Sequence, residues 1–201
     1  MGSLKELFAV VNRPTDLSWP QWETIYDFTI QYRPSLIVEL GRGYGNSTCL
    51  FTETSQHIGC KVVSIGDDAE KAFERETWPR VRRIVNASWR SSLTVVQEDI
   101  MKLDFHLILG EKQKTLLFWD AHGESLARFI IDCVFPILMQ RDHQVAVHDI
   151  GKCNASAKCV AGDLASDYEE LLPLMKYLTQ KHVKYSLNPT GWLHFDLNYC
   201  H

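Results

Sequence analysis

Two short segments end in side chains able to hold a metal ion or move a proton. LLFWDAHGE (residues 116–124) brings Asp120 and His122 directly after an apolar run, and VAVHDI (residues 145–150) brings His148 and Asp149. If both runs are neighbouring parallel strands, the four side chains meet at their carboxyl ends. Carboxylates with imidazole form a ligand set for a divalent cation. Such an ion lowers the pKa of a hydroxyl and orients it for attack. His122 can instead act as a general base, because an unperturbed imidazole titrates near about 6.5. His148 is the second candidate base. The plainer alternative is that these histidines bond the backbone and that Asp149 only turns the chain.

A second constellation lies earlier. In SLIVELGRGYGNST (residues 35–48), β-forming side chains run into Glu39, and glycines follow at 41, 43 and 45. Glycine allows positive φ and a close approach of backbone to ligand. Gly41 and Gly43 fit the first two glycines of the dinucleotide fingerprint, but the third position falls on Asn46. No Gly-Lys-Ser/Thr follows, so the P-loop pattern is absent. An acid just ahead of the loop disfavours a pyrophosphate and favours an ammonium or sulfonium. The next helix, capped by Asn46 or Ser47, offers free N–H groups at its start. A tight strand-to-helix connection holding nothing is the remaining reading.

These residues need a scaffold that brings strand ends together. LIVEL, KVVSIG, LTVVQE, TLLFWD and QVAVHDI read as five strands alternating with helical stretches. The stretches are 46–58, 69–90 (interrupted near Trp78-Pro79), a weak helix within 99–111, 124–140 (kinked by Pro136) and 166–182. Apolar strands between helices imply a parallel sheet covered on both faces. VKYSLN and WLHFDLN, joined by PTG, add a terminal antiparallel hairpin. The fold class expected is therefore α/β: Rossmann-like, doubly wound, with a mostly parallel seven-stranded sheet. Helices over 3–12 and 19–32, the second with Ser18 as cap and Pro20 in its first turn, form an N-terminal helical cap (residues 1–33) on the core (residues 34–201). Residues 151–165, rich in small side chains, read as a mobile lid over the pocket, with Lys152 at its base.

Composition narrows the partners. The chain has 201 residues, net charge −4 and no long basic run, so no nucleic-acid footprint is visible. Arg75, Arg80, Arg82, Arg83 and Arg90 interleave with glutamates and read as a solvated helix face. No apolar stretch reaches the roughly 20 residues of a bilayer helix, and no membrane association is expected. The start, MGSLKELFAVV, is too short in its apolar run for a signal peptide, so a cytoplasmic location with reduced cysteines is expected. The aromatic-rich cap offers a homodimer contact.

Taken in order, these parts carry a resemblance. VELGRGYGNS resembles the first motif of class I S-adenosylmethionine-dependent methyltransferases, and the likeness extends over residues 35–200. It implies that Glu39, Gly41, Gly43, Gly45 and Ser47 line the pocket for the methionine and ribose part of the cofactor. It implies that Asp67, with Asp68 beside it, binds the ribose hydroxyls, and that Asp99, or else Glu98, lies near the adenine. The ends of the fourth and fifth strands resemble the metal-dependent small-molecule O-methyltransferases of the sugar, macrolide and cephalosporin-related group. That places Asp120, His148 and Asp149 on the metal positions, with Asp120 also bordering the cofactor. His148 stands where the group usually has an acid, and imidazole shifts preference from magnesium towards manganese, iron, cobalt or zinc. The activity implied is methyl transfer from S-adenosylmethionine to a hydroxyl of a small-molecule acceptor, with magnesium or manganese. A metal-independent methyltransferase using His122 or His148, and a non-catalytic binding protein on the same fold, are the alternatives.

Overall fold

Ser18 donates its backbone N–H to Gln21 Oε1 at 2.8 Å, and this reciprocal cap starts the first long helix. The computed structural model describes residues 4–13, 16–67, 72–110, 113–152, 159–161, 164–166 and 168–200. The chain begins with α1 (Leu4–Val11), α2 (Trp19–Tyr32), β1 (Leu36–Leu40), α3 (Asn46–Ile58) and β2 (Lys61–Gly66). It continues through α4 (Trp78–Val81), β3 (Leu93–Gln97), α5 (Phe105–Leu109) and β4 (Thr115–Trp119). Next come α6 (Glu124–Phe129), α7 (Phe135–Leu138) and β5 (His143–His148). Three short strands follow: β6 (Gly151–Lys152), β7 (Cys159–Ala161) and β8 (Leu164–Ala165). The chain closes with α8 (Leu172–Gln180), β9 (Val183–Asn188) and β10 (Trp192–Cys200).

The main sheet has seven strands in the order β3-β2-β1-β4-β5-β10-β9. β1 to β5 run parallel, and β10 is antiparallel to both β5 and β9. The expected sheet and terminal hairpin are both present. β1 and β4 are buried at every position, as strands covered on both faces must be. From β1 the chain winds outward through β2 and β3, then returns to β4 on the other side. The order reverses between β1 and β4, and open α/β sheets bind ligands in the crevice at such a point.

Two apolar layers cover the sheet. On one face Leu36, Val38 and Leu40 pack with Ile130, Phe135, Leu174 and other residues of the later helices. On the other, Ile37 and Phe118 pack with α1, α2 and α3 through Leu7, Trp22 and Phe51. Fully burying each large side chain contributes roughly 1.5–3 kcal/mol, so α1 and α2 join the same core as the strands. Among the described residues, no helix is long and apolar enough to cross a membrane.

Three expectations about local structure need correction. The stretch 69–90 is not one helix. A five-residue π segment, Phe73–Thr77, runs into α4, and a 3₁₀ turn, Trp89–Ser92, precedes β3. Arg80 and Arg90 are partly buried there, and Arg90 donates to Glu74 at 3.0 Å and lies 5.0 Å from the Trp78 ring. Residues 124–138 stay helical through Pro136, with the π segment Ile130–Val134 standing directly before Phe135-Pro136. Both prolines follow a π segment, and the residue before each bonds five residues back, Trp78 to Phe73 and Phe135 to Ile130. That widened turn accommodates a ring that cannot donate an N–H. Residues 151–165 contain β6, β7 and β8, paired as a small sheet, rather than only a loop. The helix expected from 166 is a 3₁₀ turn at Glu169–Leu171 and becomes α-helical only at Leu172.

Candidate active site

A cleft of about 690 Å³ opens where the strand order reverses. The loop after β1 forms its floor. Gly41 N–H and Arg42 N–H both donate to Ile65 O at 3.0 Å, tying the loop to β2. A Cβ on Gly41 would lie 2.0 Å from the carbonyl oxygen of Asp120, so glycine is required for the loop to pass the end of β4. Gly43 has φ +47 and nothing within 4 Å of its absent Cβ. It faces the open cleft. Gly45 serves packing instead, since a side chain there would strike the Phe73 ring.

Arg42 pins the sheet edge beside the loop. Its guanidinium donates to Ser64 O and Val96 O at 2.9 Å and to Gln97 Oε1 at 2.7 Å. Those bonds satisfy carbonyls at the ends of β2 and β3, and the side chain is 3% exposed. Nothing local in the sequence marks this role, because the acceptors lie 22 to 55 residues away.

The opposite wall carries the charged cluster. His148 Nδ1 donates to Asp120 Oδ1 at 2.9 Å and faces Asp149 Oδ2 at 3.2 Å. Asp149 is held at φ +61, a left-handed conformation that aspartate tolerates better than most residues. Burial works against charge on His148, but the two carboxylates outweigh it and push its pKa up to about 10. Burial likewise raises the Asp120 carboxyl, with the His148 hydrogen bond as the main offset. Gln21 acts from the other side. Ser18 engages its oxygen, so its NH₂ faces His148 Nε2 at 2.9 Å. That contact needs Nε2 as acceptor, the neutral ring with its proton on Nδ1, so it opposes the second proton that the carboxylates favour. His122 Nε2 lies 3.6 Å from Asp149 Oδ2, and its ring packs on Tyr168 with centroids 4.1 Å apart.

No protein-family model matches the chain, and no curated protein matches its sequence. Solved structures do match in shape. SAH-bound methyltransferase PaMTH1 from Podospora anserina superposes with a TM-score of 0.60 at 14% identity, covering 95% of this chain and 86% of that one. CalS11, a TDP-rhamnose 3′-O-methyltransferase of calicheamicin biosynthesis, gives 0.59 at 12% identity over 98% and 96%. CmcI-D160 with Mg-SAM gives 0.53 at 16% identity over 90% and 72%. The fold is that of the Rossmann-like methyltransferases.

On this methyltransferase fold the residues nominated from sequence fall into three groups. Gly41, Gly43, Ser47, Asp67, Asp99, Asp120, His122, His148 and Asp149 all line the cleft. Asp68 lies outside the described residues. Glu39 and Gly45 do not line it, and Glu39 needs correcting. Its carboxylate is fully buried, accepting from Thr48 Oγ1 at 2.5 Å and from the Ser47 hydroxyl. Burial pushes its pKa up to about 7 despite those hydroxyls. Glu39 thus braces the first turn of α3 from behind the loop. Ser47 reaches the cleft wall with its hydroxyl already committed to that brace. Asn46 is not the helix cap either. Gly45 holds that position, and Asn46 Oδ1 accepts from Trp22 Nε1 at 2.6 Å. Trp119, the last residue of β4, is 1% exposed and donates to Ala121 O within the core.

Asp16, Gln21, Asn46 and Tyr168 are site residues that sequence reasoning did not nominate. Asp16 and Gln21 precede the strand pattern entirely, and only the packing of α2 brings them to the strand ends.

Proposed function

We propose that this protein is an S-adenosylmethionine-dependent methyltransferase that methylates a hydroxyl of a small molecule, aided by a divalent cation. The observation that carries this reading is that the glycine loop and the Asp120–His148–Asp149 cluster line one cleft of the methyltransferase fold. The Mg-SAM complex of CmcI and the sugar hydroxyl named for CalS11 support the metal and the acceptor class.

The donor set fits a cation. One ligand atom from each of Asp120, His148 and Asp149 lies within 4.8 Å of the others. Adjacent ligands at 2.1 Å around a divalent ion are about 3 Å apart, and Nδ1 stands 2.9 and 3.2 Å from the two carboxylates. A cation would take the Nδ1 lone pair that now carries the proton, leaving the ring proton on Nε2 and turning the Gln21 amide oxygen towards it. When bound, the ion supplies charge that lowers the acceptor's pKa.

The chain's own residues position and deprotonate. In this reading Gly43 leaves its backbone open to the cofactor, Asp67 takes the ribose hydroxyls and Asp99 lies near the adenine; all three line the cleft. Asp99 also caps a short turn through Met101 N–H at 3.0 Å, which fixes its carboxylate. A proton held at His122 Nε2 would face Asp149. In the reaction the acceptor hydroxyl gives its proton to His122, its oxygen takes the methyl, and the sulfur keeps the former C–S electron pair. Holding both partners in line supplies much of the rate.

One observation favours a metal-independent variant. His122 with Asp149 already forms a carboxylate–imidazole pair, whereas both ring nitrogens of His148 are engaged. Calorimetric titration of S-adenosylmethionine and S-adenosylhomocysteine, with NAD as control and with manganese or EDTA, tests the whole reading. Binding of the first two and not NAD is expected, with activity on hydroxylated acceptors lost in EDTA. Activity that persists in EDTA would select the metal-independent variant, and no cofactor binding would sink both.

A further inference from the structure

Among the described residues, five buried side-chain atoms have no hydrogen-bond partner, and only Asp16 Oδ2 and Asn46 Nδ2 belong to residues lining the cleft. They are opposite in kind. Asn46 is 5% exposed, and Trp22 fixes its amide by donating to Oδ1, so the NH₂ is the unmet end. Leaving such a donor buried and unpaired is costly, and a ligand acceptor would recover that cost. Asn46 also opens α3, a 13-residue helix with no side-chain cap, so free backbone N–H groups stand beside it.

Asp16 offers the reverse. The nearby cations reach other partners, Arg13 over the Tyr44 ring at 3.8 Å and on Glu76, and Arg80 Nε on Glu76 O, while Arg13 Nε and Arg80 Nη2 stay without a hydrogen bond and neither reaches Asp16 Oδ2. Burial raises the Asp16 carboxyl, Arg13 and Arg80 counter this, and Asp120 adds to it. Asp16 and Asp120 both line the cleft, so a ligand cation there meets carboxylates.

We infer that Asp16 and Asn46 form a matched pair that reads an α-amino-acid zwitterion, with Asp16 taking the ammonium and Asn46 with the start of α3 taking the carboxylate. This deepens the S-adenosylmethionine reading and rests on it, because that cofactor ends in such a group. It assigns the recognition to residues outside the glycine motif, one of them from the segment joining α1 and α2.

The test is calorimetric titration of three probes: S-adenosylhomocysteine, its deamino analogue and its decarboxylated analogue. The wild type should bind each analogue at least about 10-fold more weakly than the parent, the scale of one charge-assisted hydrogen bond. Asp16→Asn should weaken the parent about 10-fold and leave the deamino analogue unchanged. Asn46→Asp keeps the Trp22 acceptor, and it should weaken the parent while sparing the decarboxylated analogue. Equal affinity of the wild type for parent and deamino analogue would overturn the pair, whatever the variants do. So would an Asp16→Asn variant that weakens both ligands alike. A wild type that binds no S-adenosylhomocysteine would overturn the cofactor reading and this assignment together.

Discussion

Gln21 presents its side-chain NH₂ to His148 Nε2 at 2.9 Å, across 127 residues of chain. The same amide receives Ser18 through its oxygen, so one side chain caps α2 and orients a ring at the end of β5. Gln21→Ala should cost about 1–3 kcal/mol, a lost cap plus a lost buried hydrogen bond. Urea unfolding would measure it. Ring-nitrogen NMR should show His148 Nε2 shifting in the variant, and an unchanged resonance would mean that Gln21 does not govern that nitrogen.

Glu39 makes a pH-dependent contribution of definite sign. Its pKa is raised from 4.5 to about 7, so the folded state holds the proton more tightly than the unfolded chain does. The resulting stability is fully present below about 4.5 and is lost as pH rises through about 7. Glu39→Gln removes this dependence. The stability difference between variant and wild type should therefore move by about 3 kcal/mol in the variant's favour between pH 4 and pH 8.5. Parallel unfolding curves at both pH values would count against a buried, proton-holding Glu39.

The loop glycines should separate by function. Gly41→Ala places a methyl on the Asp120 carbonyl and should fail to fold or lose several kcal/mol. Gly43→Val meets no protein atom, so it should fold with a backbone penalty of about 1–2 kcal/mol and lose S-adenosylhomocysteine binding. Thermal melts paired with titration would show this. Intact affinity in Gly43→Val would remove the loop from the cofactor site.

Asp149→Asn keeps the side-chain shape and the tolerance for positive φ while removing a charge. Manganese affinity should fall at least about 10-fold, as for disrupted ligand shells in general, with S-adenosylhomocysteine affinity unchanged. A variant that binds manganese as tightly as the wild type would exclude Asp149 from the ligand set.

The strand pattern was readable because a doubly covered sheet needs unbroken apolar runs, and LIVEL and TLLFW are such runs. The cleft-lining acids at strand ends followed from that topology. The direction of Glu39 did not. On a strand buried on both faces, nothing in the local pattern says which layer a side chain enters, and Ser47 and Thr48 decide it from the next helix. The π segments before Pro79 and Pro136 were equally hidden, because a proline in a helical pattern announces a break and not how the break is absorbed. Asp16, Gln21 and Arg42 depend on partners far along the chain, which spacing rules do not reach.

Gln21 and Trp22 are consecutive residues of α2, yet they grip opposite sides of the cleft: His148 on the cluster of β4 and β5, and Asn46 at the head of α3. The cleft thus has a shared lever. Whatever settles against Asn46 strains or relaxes the same helical turn that holds His148. Reciprocity then means that any change in affinity passed from the His148 side to the Asn46 side is returned by the same factor. Residues 1–33 are accordingly no detachable ornament. A truncation that spared every strand would leave both halves of the site without the helical turn that touches each.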